Sequence, residues 1–104
     1  MYSLTEDQIA VQDLVRRVAR EKVAPRADAI DRDAEYPQDM FEMIRDLGLF
    51  ALPLPAEHGG TGSLLAGCLA VEEFGRVCYN TGYLLVVQWV AFGALHAAGS
   101  AEQK

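Results

Sequence analysis

The sequence predicts an all-α protein, an up-and-down helical bundle with one irregular connector rich in proline and glycine. Apolar residues recur at steps of three and four along most of the chain, which is the spacing of a helix face, and no segment alternates as a half-buried strand does. The chain has 104 residues, of which 51% are hydrophobic and 23% charged. A chain of this size and composition buries a single core and is not disordered.

The first helix is predicted to begin at a capping box. Thr5 can cap the backbone N–H of Gln8, whose side chain can reach back to the N–H of Thr5. Its apolar face consists of Val11, Leu14, Val15, Val18 and the stem of Lys22. Pro25 lacks a backbone N–H and clashes with the preceding turn, so we expect a break or kink and an irregular second half over residues 26–31.

The second helix is predicted to open at the Tyr-Pro pair of residues 36–37, with Pro37 in the first helical position. Gly48 follows the last apolar position and should end the helix in a left-handed conformation. Its predicted apolar face is formed by Phe41, Ile44 and Leu47.

Between the second and third helices, Pro53 and Pro55 exclude a regular helix, so residues 50–55 are predicted to be an extended connector. Residues 56–62 (AEHGGTG) should then form a tight turn. This turn is not a phosphate loop, because no lysine follows its last glycine. The chain also lacks the G-x-S-x-G nucleophile of esterases, which excludes acyl transfer.

A third helix is predicted from about Ser63 to Val77, and a fourth from near Asn80 or Thr81 to just before Gly99. Residues 100–103 (SAEQ) form a second capping box, which opens a helix that the chain does not complete. We therefore expect residues 1–104 to be a single domain that is truncated at its C-terminus.

Charge and composition exclude several classes of function. The net charge is −6 and the nine basic residues are dispersed, so we expect no nucleic-acid partner. The acidic N-terminus is no targeting signal, which favours a cytoplasmic protein. The apolar residues 83–98 fall short of the roughly 20 that span a bilayer, so they predict a core helix. Cys68 and Cys78 lack metal-ligand spacing and are predicted to be buried free thiols, with no metal site.

The acidic and histidine residues give no catalytic constellation. Glu72 and Glu73 point about 100° apart on a helix, so we expect one to be solvated and the other to pair with a cation such as Arg76. His58 and His96 fall in different elements without ligand spacing. Trp89 and Phe92, three residues apart among aliphatic residues, predict a core stripe.

Six short segments in a fixed order nevertheless resemble a known family. They are residues 4–8 (LTEDQ), 23–25 (VAP), 36–37 with 47–49 (YP and LGL), 55–62 (PAEHGGTG), 72–76 (EEFGR) and 99–104 (GSAEQK). Together they resemble the N-terminal helical domain of the acyl-CoA dehydrogenases, flavoproteins that desaturate acyl-CoA thioesters.

The resemblance implies a partial role for this chain. In the family, FAD rests chiefly on a following β-domain and the catalytic carboxylate comes from a later helical region, so no residue here is expected to be catalytic. The fourth helix lines the acyl pocket, which makes Tyr83, Val86, Val87 and Val90 the candidate substrate-binding residues. The implied partners are acyl-CoA, an electron acceptor, the remaining domains and further subunits of a homo-oligomer. Alone, the chain should be inactive and retain no flavin.

Two alternatives stay open on the sequence. The same N-terminal domain would serve an acyl-CoA oxidase or a flavin-dependent monooxygenase, since a shared fold does not fix the chemistry. A stand-alone helical module that binds a partner through an apolar face, without catalysis, is the second alternative.

Overall fold

A computed structural model describes residues 3–103, which are helical with turns and contain no strand, so the all-α prediction is confirmed for them. Five α-helices, one π-helical turn and two short 3-10 turns follow one another along the chain. They are α1 (Glu6–Val18), the π turn (Ala19–Val23), α2 (Ala24–Asp33), α3 (Gln38–Asp46), the 3-10 turns (Leu49–Ala51 and Ala56–His58), α4 (Leu64–Val77) and α5 (Tyr79–Ala98).

The core forms around α4, against which both α1 and α5 pack. The aromatic ring of Phe74, on α4, is fully buried, and so are Val15 from α1 and Leu85 from α5. α3 contributes Ile44, also fully buried, whereas Leu47, predicted for the same face, is 41% exposed. Leu47 lies beyond the end of α3, so its side chain does not continue the helical stripe.

The helix does not break at Pro25, but a π turn interrupts its regular α-helical geometry just before the proline. The backbone N–H of Ala24 donates to the carbonyl of Ala19, five residues back, and Pro25 then lies in the first turn of a regular α2. A π turn widens the helix just before the proline, which gives the ring room where it would otherwise meet a carbonyl. Residues 26–31 are therefore regular helix and not irregular.

The connector is turned, and not extended as predicted. Gly48 adopts the expected left-handed conformation, with φ of 73°, and a 3-10 turn follows it directly. Further along, the backbone amides of residues 60–62 donate to the carbonyls of Pro55, Leu52 and Leu54 at 3.2, 3.0 and 2.8 Å. These bonds fold the glycine turn back on the connector and satisfy its polar groups internally.

The helix ends agree closely with the sequence. Thr5 and Gln8 form the predicted capping box, and Ser63 caps α4 by accepting from the amide of Ala66 at 3.1 Å. The box of residues 100–103 is also present, with reciprocal bonds of 2.8 and 3.3 Å. Pro37 is the N-cap of α3 and not its first helical residue, so that prediction is wrong by one position.

The two cysteines differ. Cys78 is buried as predicted, whereas Cys68 is exposed, so the prediction for Cys68 is wrong. Cys68 lies on α4 next to Gly67 and Leu69, which take the buried positions of that turn.

An ion pair between helices joins α1 to α4. Arg16 donates to both carboxylate oxygens of Glu73, at 2.9 and 3.3 Å, and the Glu73 side chain is 2% exposed. The hydrogen bonds and charge of Arg16 outweigh the effect of burial and lower the pKa of Glu73. Glu72 is exposed and pairs with Arg76 at 3.3 Å. One solvated and one paired glutamate were predicted, but Arg16 is the principal partner of Glu73.

Replacing Glu73 by glutamine should reduce the free energy of unfolding at pH 7 by about 1–3 kcal/mol, the scale of a charged hydrogen bond. Since the pKa of Glu73 is lowered in the folded state, its contribution is complete above the ordinary value of 4.5 and is lost as the pH falls through the lower folded value. Thermal unfolding of both proteins should therefore differ at pH 7 and converge in acid. Glu72→Gln is the control, and an equal loss there would contradict the assignment.

Candidate functional site

The first half of α5 is held tightly against the bundle. Gly82 lies so close to α4 that a β-carbon there would be 3.2 Å from the backbone nitrogen of Gly75. About two turns further, Trp89 donates from its indole N–H to the carbonyl of Phe50 at 2.8 Å, and its ring packs over Gly67. These contacts fix the direction in which the remaining side chains of α5 project. Trp89 packs against the core as predicted, whereas Phe92 lines a cavity near the end of α5 and is not part of the core cluster.

The four candidate substrate-binding residues all project away from the core. Tyr83 is 53% exposed, Val86 38%, Val87 45% and Val90 72%. None of the four belongs to the buried core. We call them the α5 face. An apolar face of this kind is unusual on the surface of a complete domain and marks a site for another molecule or domain.

The structure brings only two of the four residues to a common cavity. Tyr83 and Val87 line a groove of about 530 Å³ between the end of α2, residues 34–37 and the first turns of α5. Val86 and Val90 lie outside its lining. The groove was not predicted, because its other wall comes from a segment far from α5 in sequence. Its lining also includes Asp31, Glu35 and Tyr36.

A second cavity, of about 230 Å³, lies between the connector and the end of α5. It is lined by Leu54, Phe92 and Leu95 together with His58 and His96. The two imidazole rings meet edge to face, with centroids 6.0 Å apart. The sequence placed these histidines in unrelated elements, and no local signal indicates their contact, because it depends on how the glycine turn packs against α5.

The described residues do not form a metal site or fit a flavin dinucleotide. Within residues 3–103 no three potential metal ligands come together. The amides of residues 60–62 point inward to the connector carbonyls and cannot hold a phosphate. The groove between α2 and α5 is lined by Asp31 and Glu35, whose charge repels a pyrophosphate.

α5 has the predicted extent within two residues and is longer than the apolar run of residues 83–98 that it contains. α5 has 20 residues with a mean hydropathy of 1.3, so by length and composition it could cross a membrane. Length alone therefore does not exclude a span. Only 17% of the apolar window is buried, so the prediction of a core helix for residues 83–98 is wrong beyond Leu84 and Leu85. Gln88 and His96 interrupt the apolar run.

Residues 5–104 match the family described as acyl-CoA dehydrogenase, N-terminal domain. The chain belongs to this family. A probable acyl-CoA dehydrogenase, YngJ, of Bacillus subtilis (strain 168) is 38% identical over 106 residues, which cover 99% of this chain and 28% of the relative. The 3-sulfinopropanoyl-CoA desulfinase of Paraburkholderia xenovorans (strain LB400) is 38% identical and is matched over 27% of its length. In that case all of this chain is covered.

A third relative has a different activity again. The acryloyl-CoA reductase (NADH) of Anaerotignum propionicum is 34% identical over 99% of this chain and 26% of its own length. The chain thus spans about a quarter of the length of these relatives. Their names share an acyl-CoA compound but not a reaction. Membership of the family is therefore firmer than the choice of chemistry.

Proposed function

We propose that this chain is the N-terminal domain of an FAD-dependent acyl-CoA dehydrogenase, an oxidoreductase acting on the α,β carbon–carbon bond of an acyl-CoA thioester. In that enzyme the flavin, when bound, would be the acceptor of a hydride from the substrate. The residues of this domain would pack against the other domains, line the acyl chain and exclude water from it. The catalytic base would come from another region.

The exposed apolar α5 face is the observation that carries this proposal. Its members project outward from a helix whose other side is fixed by Gly82 and Trp89, so the face has a defined position. An acyl chain is recognised by apolar area and needs few polar groups, which suits Val86, Val87 and Val90. We propose these residues, with Tyr83, as the wall of the acyl pocket.

The wider setting of the domain follows from the same proposal. The remaining dehydrogenase domains, an electron acceptor and further subunits of a homo-oligomer are the partners that such an enzyme requires, and its place is the cytoplasm. An acyl-CoA oxidase or a flavin-dependent monooxygenase remains the alternative among enzymes. The desulfinase and reductase relatives add weight to an acyl-CoA enzyme of different chemistry.

Enlarging Val86 or Val90 to phenylalanine, in a complete enzyme that carries this domain, tests the assignment. If both valines line the acyl tail, kcat/KM should fall more for long acyl chains than for short ones. The difference should correspond to about 1–3 kcal/mol in activation free energy. The measurement is kcat/KM over a series of straight-chain acyl-CoAs, with thermal unfolding alongside. Leu64→Phe, at a 70% exposed position on α4, is the control. A loss that is equal for every chain length, with a lowered Tm, would remove Val86 and Val90 from the pocket.

A further inference from the structure

We propose that a second copy of this chain packs antiparallel against α5, along a row of side chains that the fold leaves exposed. We call this row the α5 seam, and it is formed by Tyr79, Tyr83, Val86, Val90, Gly93 and Ala97. The inference concerns residues 1–104 as a chain by themselves and goes beyond the proposed function. In a complete enzyme the same helix would face the acyl pocket and the other domains.

The members of the α5 seam follow the spacing of a coiled coil. Successive members are four, three, four, three and four residues apart, which keeps them on one side of α5. All six are exposed, and the large ones range from 38% at Val86 to 74% at Tyr79. The opposite side of α5 carries Thr81 and Leu85, which are fully buried in the bundle. A heptad pattern that points to solvent indicates packing against another helix of the same spacing.

Large and small residues of the α5 seam lie at opposite ends of the helix. Tyr79 and Tyr83 project near its start, and their rings stack with centroids 5.9 Å apart, which holds them in place. Gly93 and Ala97 leave room near its end, and a β-carbon at Gly93 would have no neighbour within 4 Å. When two copies of α5 align antiparallel about their middle, Tyr79 lies opposite Ala97. Tyr83 then lies opposite Gly93, and the two valines of the seam meet at the centre, so the helix is complementary in shape to its own copy.

Charge favours the antiparallel arrangement over the parallel one. α5 contains no aspartate, glutamate, lysine or arginine, so it offers an uncharged surface on a chain whose net charge is −6. Asp31 and Glu35 line a groove with Tyr83, near the start of α5. A parallel pair would bring these carboxylates of both copies together, whereas an antiparallel pair separates them by most of the length of the helix. Antiparallel helices also place opposite ends of their dipoles side by side.

The area of the exposed side of α5 matches what a weak dimer needs. A helix of 20 residues is about 30 Å long and about 10–12 Å across with its side chains. The outward half of such a cylinder offers roughly 600 Å² to a partner, so two copies would bury about 1,200 Å² together, the lower end of specific interfaces. We therefore expect a dissociation constant on the order of 50 µM, with monomers predominating at a few micromolar.

Sedimentation equilibrium of the 104-residue chain tests the association. From about 1 to about 500 µM the mass should rise from that of one copy, 11.4 kDa, towards that of two. Val90→Lys, at a 72% exposed position, should weaken association at least about tenfold because it buries an unpaired charge, although it reduces the net negative charge. Leu64→Lys, at a 70% exposed position on α4, is the matched control and should change association by less than about threefold. A monomer at every concentration, or an equal loss in both variants, would overturn the proposal.

Disulfide trapping tests the orientation. In a chain whose exposed thiol is removed by Cys68→Ser, the variant Tyr79→Cys is mixed with the variant Ala97→Cys and oxidised. Antiparallel pairing should link the two variants to each other and neither to itself, because two copies of residue 79 would lie about 27 Å apart. Linkage of Tyr79→Cys to itself would show a parallel pair and contradict the proposal.

Two other occupants of the α5 seam are distinguished by the same chain. If it stays monomeric in buffer but sediments with phosphatidylcholine vesicles, the seam meets lipid and the proposal is wrong. Species larger than a dimer that are insensitive to Val90→Lys would show unspecific contact through other apolar residues, and would also overturn it. None of these measurements needs turnover, so their failure is distinguishable from a failed acyl-chain assay.

Discussion

Replacing Trp89 by alanine should lower the free energy of unfolding by about 3 kcal/mol, within the range of large-to-small changes at packed aromatic residues. The indole makes two separate contributions. Its ring packs over Gly67, and its N–H donates to the carbonyl of Phe50 at 2.8 Å, so α5 is joined to both α4 and the connector. Removing it leaves a gap over Gly67 and an unpaired carbonyl. Trp89→Phe, which keeps a ring but no donor, should cost about 1 kcal/mol or more.

Chemical denaturation followed by circular dichroism measures these changes, since Trp89 is the only tryptophan and its fluorescence is lost with it. Val90→Ala is the matched control on the same helix, because Val90 is 72% exposed and its truncation should stay within about 0.5 kcal/mol. Equal stability of the Trp89→Ala and Val90→Ala proteins would show that the contacts of Trp89 with Gly67 and Phe50 do not stabilise the fold.

The parts of the fold that the sequence predicts are those that depend on neighbouring residues. The capping box of Thr5 and Gln8, the cap at Ser63 and the left-handed Gly48 each involve residues within a few positions, and all are present. The structure departs from the prediction at Pro25 and in the connector because tertiary packing decides the backbone geometry there. A π turn or a 3-10 turn differs from a break or an extended segment by small changes in dihedral angle, which tertiary packing decides.

Contacts between distant residues could not be predicted from the sequence. Arg16 and Glu73 are 57 positions apart and Trp89 and Phe50 are 39 apart, so neither pair has a periodic signal. Glu73 lies three residues before Arg76, so the sequence predicts Arg76 as its partner and gives no indication of Arg16. The contact of two histidine rings required the packing of α5 against the glycine turn.

The candidate site likewise has one part that the sequence predicts and one part that only the structure shows. Family resemblance places the wall of the acyl pocket on the predicted fourth helix, which is α5 in the structure. The four proposed wall residues on α5 all lie outside the core. Their role in binding stays a prediction. The groove between α2 and the first turns of α5 depends on the turn at Ala34, after which Glu35 and Tyr36 share a cavity lining with Tyr83. A left-handed alanine has no sequence signature. Resemblance therefore suggests the helix, but the structure is needed to find the groove beside it.

Replacing Gly60 by alanine should destabilise the chain by about 3 kcal/mol or more, beyond the usual cost of overpacking. A β-carbon at this position would overlap the carbonyl oxygens of Leu54 and Ala51, which are backbone atoms and cannot rotate away. Relief would require breaking the inward hydrogen bonds of residues 60–62. The second cavity should then open as well, because His58 precedes this turn and contacts His96.

Gly93→Ala is the matched control for Gly60→Ala. Gly93 lies in α5 with open space where a β-carbon would be placed, so alanine should stabilise the helix by about 0.5–1 kcal/mol. Thermal unfolding measures both variants, and a difference of about 3 kcal/mol corresponds to at least about 12 °C in Tm for a domain of this size. The two substitutions add the same methyl group. A lowered Tm for Gly60→Ala with a raised Tm for Gly93→Ala would therefore show that the turn requires glycine at residue 60 because other backbone atoms lie close to it. A Gly60→Ala protein with an unchanged Tm would mean that the turn does not pack against the connector as described.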